Sequence, residues 1–260
     1  MLNTVAKAQK NKTDDQGTKE RLLQTALRMF AESGFDAVSI RDLTSAAEAN
    51  LGAIGYHFGS KDDLIKAVFD RLAIPVNERR LAQLDAYERT LKEKGPSVES
   101  VVRALIEPAV RFAKDKESDG VYYSRILDIA YTMRPAVFTE MMRAQYDEIA
   151  RRFIHALAQA LPELPRDEVV WRYTFTIGAM LHILDDADHA DRVKTFSKGR
   201  SDSNNPDEII EKLVPYVVGG ITTPVTLTQS AKSRSTPDLA ASVAKASASR
   251  SPHPLFMASL

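Results

Sequence analysis

Asp185, Asp186, Asp188 and Asp191 surround His189 within one short run, the stretch where carboxylates and an imidazole lie close enough to suggest a divalent cation. The run follows directly on a helical pattern and reads more simply as a solvated acidic loop, so no metal or cofactor is expected. His155, His182 and His253 stand alone, and neither a Ser-His-Asp nor a phosphate-loop pattern is present. There are no cysteines, which removes thiol nucleophiles, thiolate metal sites and disulfides. An enzyme is therefore not the expectation. A second group of residues is suited to binding rather than reaction. Tyr122, Met133, Phe138, Met141, Met142, Trp171 and Phe175 recur at helical spacing, and Arg125 and Arg134 stand among them as partners for an acidic head group. Aromatic and methionine side chains make adaptable apolar sites, although the same stripes also describe an ordinary core.

The elements that carry these residues are helices throughout. Strand-like alternation is absent and apolar residues recur at intervals of three and four. The first seventeen residues, with Lys7, Lys10 and Lys12, read as a flexible basic arm. A first helix is expected from Thr18, its N-cap, to Ser33, with Leu22, Ala26, Leu27 and Phe30 on one face and Gly34 ending it. Short helices follow at Ser39 and at Asn50–Phe58. A fourth opens with a capping-box-like Ser60 and Asp63. Pro75 predicts a break, because it lacks a donor and clashes one turn back, which makes Ile74 the joint between an 18–73 head and a 74–220 body. Further amphipathic segments are expected at 75–94, 98–115, 120–131, 135–161, 165–185 and 206–218. Pro108 should kink its own segment. From Ile221 the chain turns rich in Ser, Thr, Ala and Pro, the composition of a disordered tail. The fold class is all-α: a small three- or four-helix head on a larger helical body, which the resemblance given below makes a helix-turn-helix DNA-binding domain and a ligand-binding and dimerisation domain.

Charge alone points to no partner. Lys and Arg number 35, as do Asp and Glu, so the 260-residue chain is formally neutral and a nucleic-acid face must be locally basic. No run reaches the ~18 apolar residues of a membrane span, and the N-terminus lacks the apolar core of a secretory signal. A soluble cytoplasmic protein without a membrane partner is expected. The functional signal is the pair of short helices at Ser39 and Asn50, spaced as a helix-turn-helix locked against the first helix. In such a unit the second helix enters the major groove. Here it carries Gly52, Ala53 and Gly55. Glycines at about 1 kcal/mol each weaken a helix, and close approach to DNA would account for them.

At this point a resemblance becomes specific. The stretch from Thr18 to Phe69 resembles the N-terminal domain of the TetR family of bacterial repressors, through Phe30-Ala31-Glu32-Ser33-Gly34-Phe35, Ser39-Ile40-Arg41-Asp42-Leu43 and Tyr56-His57-Phe58-Gly59-Ser60-Lys61. The resemblance implies a homodimer on a palindromic double-stranded DNA operator, with a small-molecule effector in each body. It implies that Ser39 caps helix two and touches phosphate, that Tyr56 and His57 pack on the backbone, and that Lys61 meets a phosphate. Asn50, Gly52 and Ala53 would line the groove, Thr18 would hold a further phosphate, and Arg41 would add positive charge. Two residues depart from the family pattern. Glu48 stands where the turn usually has glycine, predicting a looser turn or an unusual backbone there, and Gly55 replaces a bulkier residue. The body resembles the fatty-acid and acyl-CoA-responsive subgroup, through Ala160-Leu161-Pro162-Glu163-Leu164-Pro165 and the Trp171-Arg172 helix with Gly178-Ala179-Met180-Leu181-His182. A fatty acid or acyl-CoA is the implied effector. The expected function is thus a ligand-responsive repressor, with an activator of the same fold, or a helical lipid-binding protein or enzyme with a vestigial head, as alternatives.

Overall fold

The computed structural model describes residues 2–90, 97–184 and 190–225, with side chains in the first helix from Asp15 onward. Ten α-helices and one 3-10 turn make up the described chain, and no strand occurs among these residues. The helices are α1 (Leu2–Ser33), α2 (Ile40–Ala46), α3 (Ala53–His57), α4 (Lys61–Thr90), α5 (Val98–Ala113), α6 (Tyr123–Met133), α7 (Phe138–Ala160), α8 (Arg166–Leu184), α9 (Ala190–Phe196) and α10 (Pro206–Thr222). None is long and apolar enough to cross a membrane. The acidic run at 185–189 and the chain beyond 225 lie outside the described residues, as do the side chains of Lys7, Lys10 and Lys12.

The head forms because α1, α2, α3 and the start of α4 each offer one apolar face. Leu22, Ala26 and Phe30 from α1, Leu43 from α2, Ile54 from α3 and Leu64 and Val68 from α4 are all buried in one core. The edge of Phe30 meets Phe35 with ring centroids 5.4 Å apart. Removing such a buried side chain costs about 3–5 kcal/mol, so this core alone holds the two short helices in place. Gly34, at φ 81°, closes α1 by donating its N–H to the Phe30 carbonyl, a backbone region that favours glycine.

The core is continuous from head to body, because α4 does not break. It runs through Pro75 to Thr90, so the expected joint at Ile74 is instead a mid-helix position. The Arg71 carbonyl loses its helical donor to Pro75, but burial of Leu72, Ala73 and Val76 on the same turn holds the helix together. α5 likewise continues through Pro108, and most of its residues are buried between α4 and α10. At its far end Gly120 is sterically required, since a Cβ there would sit 1.7 Å from the Phe112 carbonyl oxygen. That close approach starts the 3-10 turn (Asp119–Tyr122) that aims α6 across the body.

α1 differs from expectation at its N-terminus. It is helical from Leu2, so Thr18 is an interior helical residue rather than an N-cap. No proline interrupts residues 2–33, and the lone Gly17 costs only about 1 kcal/mol, too little to end a helix anchored by the buried Leu22 face.

Candidate nucleic-acid interface and ligand cavity

The helix-turn-helix is built by caps. Ser39 precedes α2 in an extended conformation, its Oγ accepting from the Asp42 N–H (3.2 Å) while the Asp42 carboxylate accepts from the Ser39 N–H (3.0 Å) and O–H (2.6 Å). These bonds hold the exposed Asp42 carboxyl below its ordinary value of 3.8, the Ser39 hydroxyl contributing most. The same hydroxyl is the one expected to touch phosphate, so its hydrogen is already committed to Asp42. The turn after α2 is a Schellman motif with a glutamate at the left-handed position. Glu48 has φ 51°, its N–H donates to the Ser45 carbonyl (3.2 Å), and the Ala49 N–H reaches back to Thr44 (2.9 Å). The departure at Glu48 therefore appears as an unusual backbone, not a looser turn. Arg21 of α1 donates to the Ala47 carbonyl across the turn and to the Thr18 hydroxyl (3.1 Å).

Beyond the turn, Gly52 precedes a single-turn α3, shorter than the expected Asn50–Phe58. Thr18, Asn50, Gly52, Ala53, Tyr56 and His57 line one polar cleft of about 470 Å³ together with Asp15. Six of the nine residues expected at DNA thus converge from α1, the turn and α3. Tyr56 is 76 % exposed, an aromatic ring held out from the head with nothing covering it. His57 lies beneath it, its side chain 7 % exposed and its Nε2 3.7 Å from the Asp15 carboxylate, so this ring packs more than it projects. Arg41 is exposed, and neither it nor Lys61 has an ion-pair partner among the described residues. Lys61 stands at the start of α4, where Ser60 donates its O–H to Asp63 (2.6 Å) and accepts from the Asp63 N–H, the expected capping pair. Thr18 keeps its place in the cleft, but its amide is spent inside α1, so phosphate binding through free first-turn amides does not occur there.

The body holds a second site. A cavity of about 380 Å³ opens between α4, α6, α7 and α8, lined among others by Arg80, Tyr123, Tyr131, Tyr146, Tyr173 and Phe138. Of the residues expected at ligand, only Phe138 and Met142 line it. Met141 is buried in the core and Tyr122 packs partly buried against it. Trp171 and Phe175 point outward on α8, their rings 5.7 Å apart and Phe175 64 % exposed. Arg134 sits in the left-handed region after α6, over the Phe138 ring, its Nε donating to the Tyr131 carbonyl (3.4 Å). Arg125 and Met133 face the head instead: the Arg125 Nε donates to the Ala31 carbonyl (3.3 Å), and the Met133 sulfur lies 3.1 Å from where a Cβ on Gly34 would be. Neither arginine reaches the cavity, so neither serves as its cation.

The cation that does is Arg80, absent from the sequence expectation. It is 1 % exposed, and it falls on the four-residue stripe Leu72, Val76, Arg80, Leu84, whose other members are all buried. A charge on an apolar stripe was the available signal. Burial pushes the Tyr173 phenol up to about 12 and the Tyr146 phenol well above its ordinary 10, with the Arg80 charge opposing both shifts.

A capped helix-turn-helix head, continuous through α4 with a cavity-bearing helical body, is the architecture of a helix-turn-helix regulator. Residues 22–68 match the family described as bacterial regulatory proteins, tetR family, and residues 103–220 match the tetracyclin repressor-like C-terminal domain. The chain belongs to the TetR family of transcriptional regulators. It is 38 % identical over 88 residues to the transcriptional repressor Rv3405c of Mycobacterium tuberculosis, a match covering 33 % of this chain and 45 % of that protein. The chain therefore spans under half the length of the curated relatives it first matches. In fold it is similar to the crystal structure of superantigen PfiT (TM-score 0.53, 22 % identity, 76 % of this chain and 95 % of that one). It is also similar to the regulator FadR of Bacillus subtilis in complex with stearoyl-CoA (TM-score 0.52, 12 % identity, 77 % and 98 %).

Proposed function

We propose that this chain is a ligand-responsive repressor that binds a palindromic operator as a homodimer and is released by a small apolar effector. The observation that carries the reading is the polar cleft of the head, where the exposed Asn50, Gly52 and Tyr56 meet on one outward surface, with the buried Ala53 at its floor. Small residues there admit the DNA backbone closely, and the unpaired Arg41 and Lys61 supply the local positive charge that a neutral chain needs. The partner copy would cover α8 and α10, where Trp171, Phe175 and Tyr216 form an exposed apolar face.

α6 is the element that connects the two sites. Tyr123, Leu127 and Tyr131 on one side line the cavity, while Arg125 and Met133 on the other hold the end of α1. An occupant that shifts α6 thereby moves the head. Arg71 adds a second link, donating to Asp119 (2.7 Å) before α6 and pairing with Glu20 of α1 (2.9 Å). Such coupling is typically about 1–3 kcal/mol and reciprocal, so operator DNA must weaken effector binding equally. The cavity is near the small end of the ~300–1,000 Å³ of ligand sites, which favours a compact molecule, and a free fatty acid over its coenzyme A thioester. The test is a gel shift with DNA flanking the gene. A saturable band that Tyr56→Ala abolishes is expected, and the absence of any specific band refutes the reading.

A further inference from the structure

Among the described residues, Arg80 is a buried guanidinium without a counter-ion. Its Nε donates to the Leu105 carbonyl (2.8 Å), Nη1 to the Asn77 side-chain oxygen (3.1 Å) and Nη2 to the Met180 sulfur (3.5 Å). Two of the five N–H donors of a guanidinium are left without an acceptor, and the thioether is a weak one. No carboxylate pairs with it among the described residues. Asp147 lines the same cavity but makes no ion pair with Arg80. A charge buried in this way is unfavourable unless something compensates it. Its structural bonds do not need a charge, since a neutral amide donor would serve Asn77 and Leu105 as well.

We infer that the cavity between α4, α6, α7 and α8 binds a compact monoanionic carboxylate whose charge is taken by Arg80. The inference rests on the reading of this cavity as the effector site and names what fills it. One unpaired positive charge balances one negative charge, which suits a carboxylate. A phosphate monoester carries about −1.5 to −2 at neutral pH and would leave an excess. The planar fork of a guanidinium matches a carboxylate in two parallel bonds. The remaining wall accepts an apolar body: Leu127, Phe138, Met142, Ile177 and Leu181. Tyr123 and Tyr146, whose hydroxyls lie 3.5 Å apart, supply neutral donors beside the charge, because burial keeps the Tyr146 phenol protonated.

The experiment is calorimetry on the DNA-free full chain with matched pairs: benzoate and benzamide, phenylacetate and phenylacetamide, octanoate and octanamide, with phenyl phosphate as a dianion. At least one carboxylate should bind tenfold or more tightly than its amide and than phenyl phosphate. Arg80→Met should lose that preference by about tenfold to a hundredfold, the range of a charge-assisted hydrogen bond, while melting at or above the wild-type temperature. Arg80→Gln, which keeps a donor but not the charge, should lose it too. No preference for any carboxylate, a tighter phosphate, or a preference that survives in Arg80→Gln overturns the inference. So does an Arg80→Met that no longer folds, since Arg80 would then be structural. Operator release is read separately. A carboxylate that binds through Arg80 without releasing DNA supports the site and counts against the regulatory reading. Release by an amide that is indifferent to Arg80 overturns the inference and leaves the regulatory reading intact.

Discussion

Glu48→Gly tests whether the turn of the helix-turn-helix stores backbone strain. Glu48 occupies the left-handed position of a Schellman motif at φ 51°, exposed, with both motif hydrogen bonds formed. A left-handed conformation costs an L-residue about 1–2 kcal/mol, and glycine escapes that cost. Glycine also gives the unfolded chain more freedom, which takes back about 0.4–1 kcal/mol. Taking the middle of each range, the balance is a stabilisation of about 0.8 kcal/mol. The compact unit runs from Met1 to Thr223, a size for which 1 kcal/mol moves the melting temperature by about 2–4 °C. Glu48→Gly should therefore melt about 2–3 °C higher than wild type by differential scanning calorimetry. The substitution also removes a carboxylate, so Glu48→Gln is the reference: it loses the charge and keeps the strained φ. Whatever charge contributes to stability or DNA affinity appears in both variants and cancels between them. A glycine variant no more stable than the glutamine variant would refute the strain argument. The turn would then be relaxed at Glu48 by contacts other than its backbone.

If Lys61 neutralises a phosphate, Lys61→Ala should shallow the dependence of log affinity on log salt by about 0.9 and weaken specific and random DNA alike; an unchanged slope removes the contact. Phe175→Glu places a charge on the exposed face of α8 without disturbing the core, so it should give a folded monomer by light scattering and circular dichroism; a persistent dimer counts against that face. Asp42 should titrate below 3.8 by carboxyl NMR and move back toward that value in Ser39→Ala, since the Ser39 hydroxyl is the main cause of the shift. A depressed folded pKa contributes stability that is present above the unfolded value and lost as pH falls through the folded one, so the capping box should weaken only below about pH 4. An Asp42 pKa unmoved by Ser39→Ala would contradict the assignment.

The parts of this protein legible in its sequence are those where a residue type answers a local backbone need. Ser39 before Asp42 and Ser60 before Asp63 each satisfy free helix amides, and both form the expected bonds. Gly34 ends α1, and Glu48 carries the unusual backbone that its departure from glycine implied. What was not legible depends on the tertiary context. Pro75 forbids one hydrogen bond locally, yet its neighbours Ala73 and Val76 lie in the core, and burial on both sides outweighs the missing bond. Periodicity shows that a helix face is apolar but not what covers it. Trp171 and Phe175 have the same spacing as a core stripe and point outward, whereas Phe138 and Met142 line a cavity. The cation followed the same logic in reverse. Arg125 and Arg134 stand among aromatic residues along the chain, but Arg125 ends on the Ala31 carbonyl of α1 and Arg134 on the Tyr131 carbonyl of α6. Arg80 stands among aliphatic ones, and α4 carries it inward because Val76 and Leu84, one turn to either side, must be buried. A helix buries a face as a unit, so a charge that interrupts an apolar stripe is carried in with its neighbours, and Arg80 reaches the cavity wall in this way.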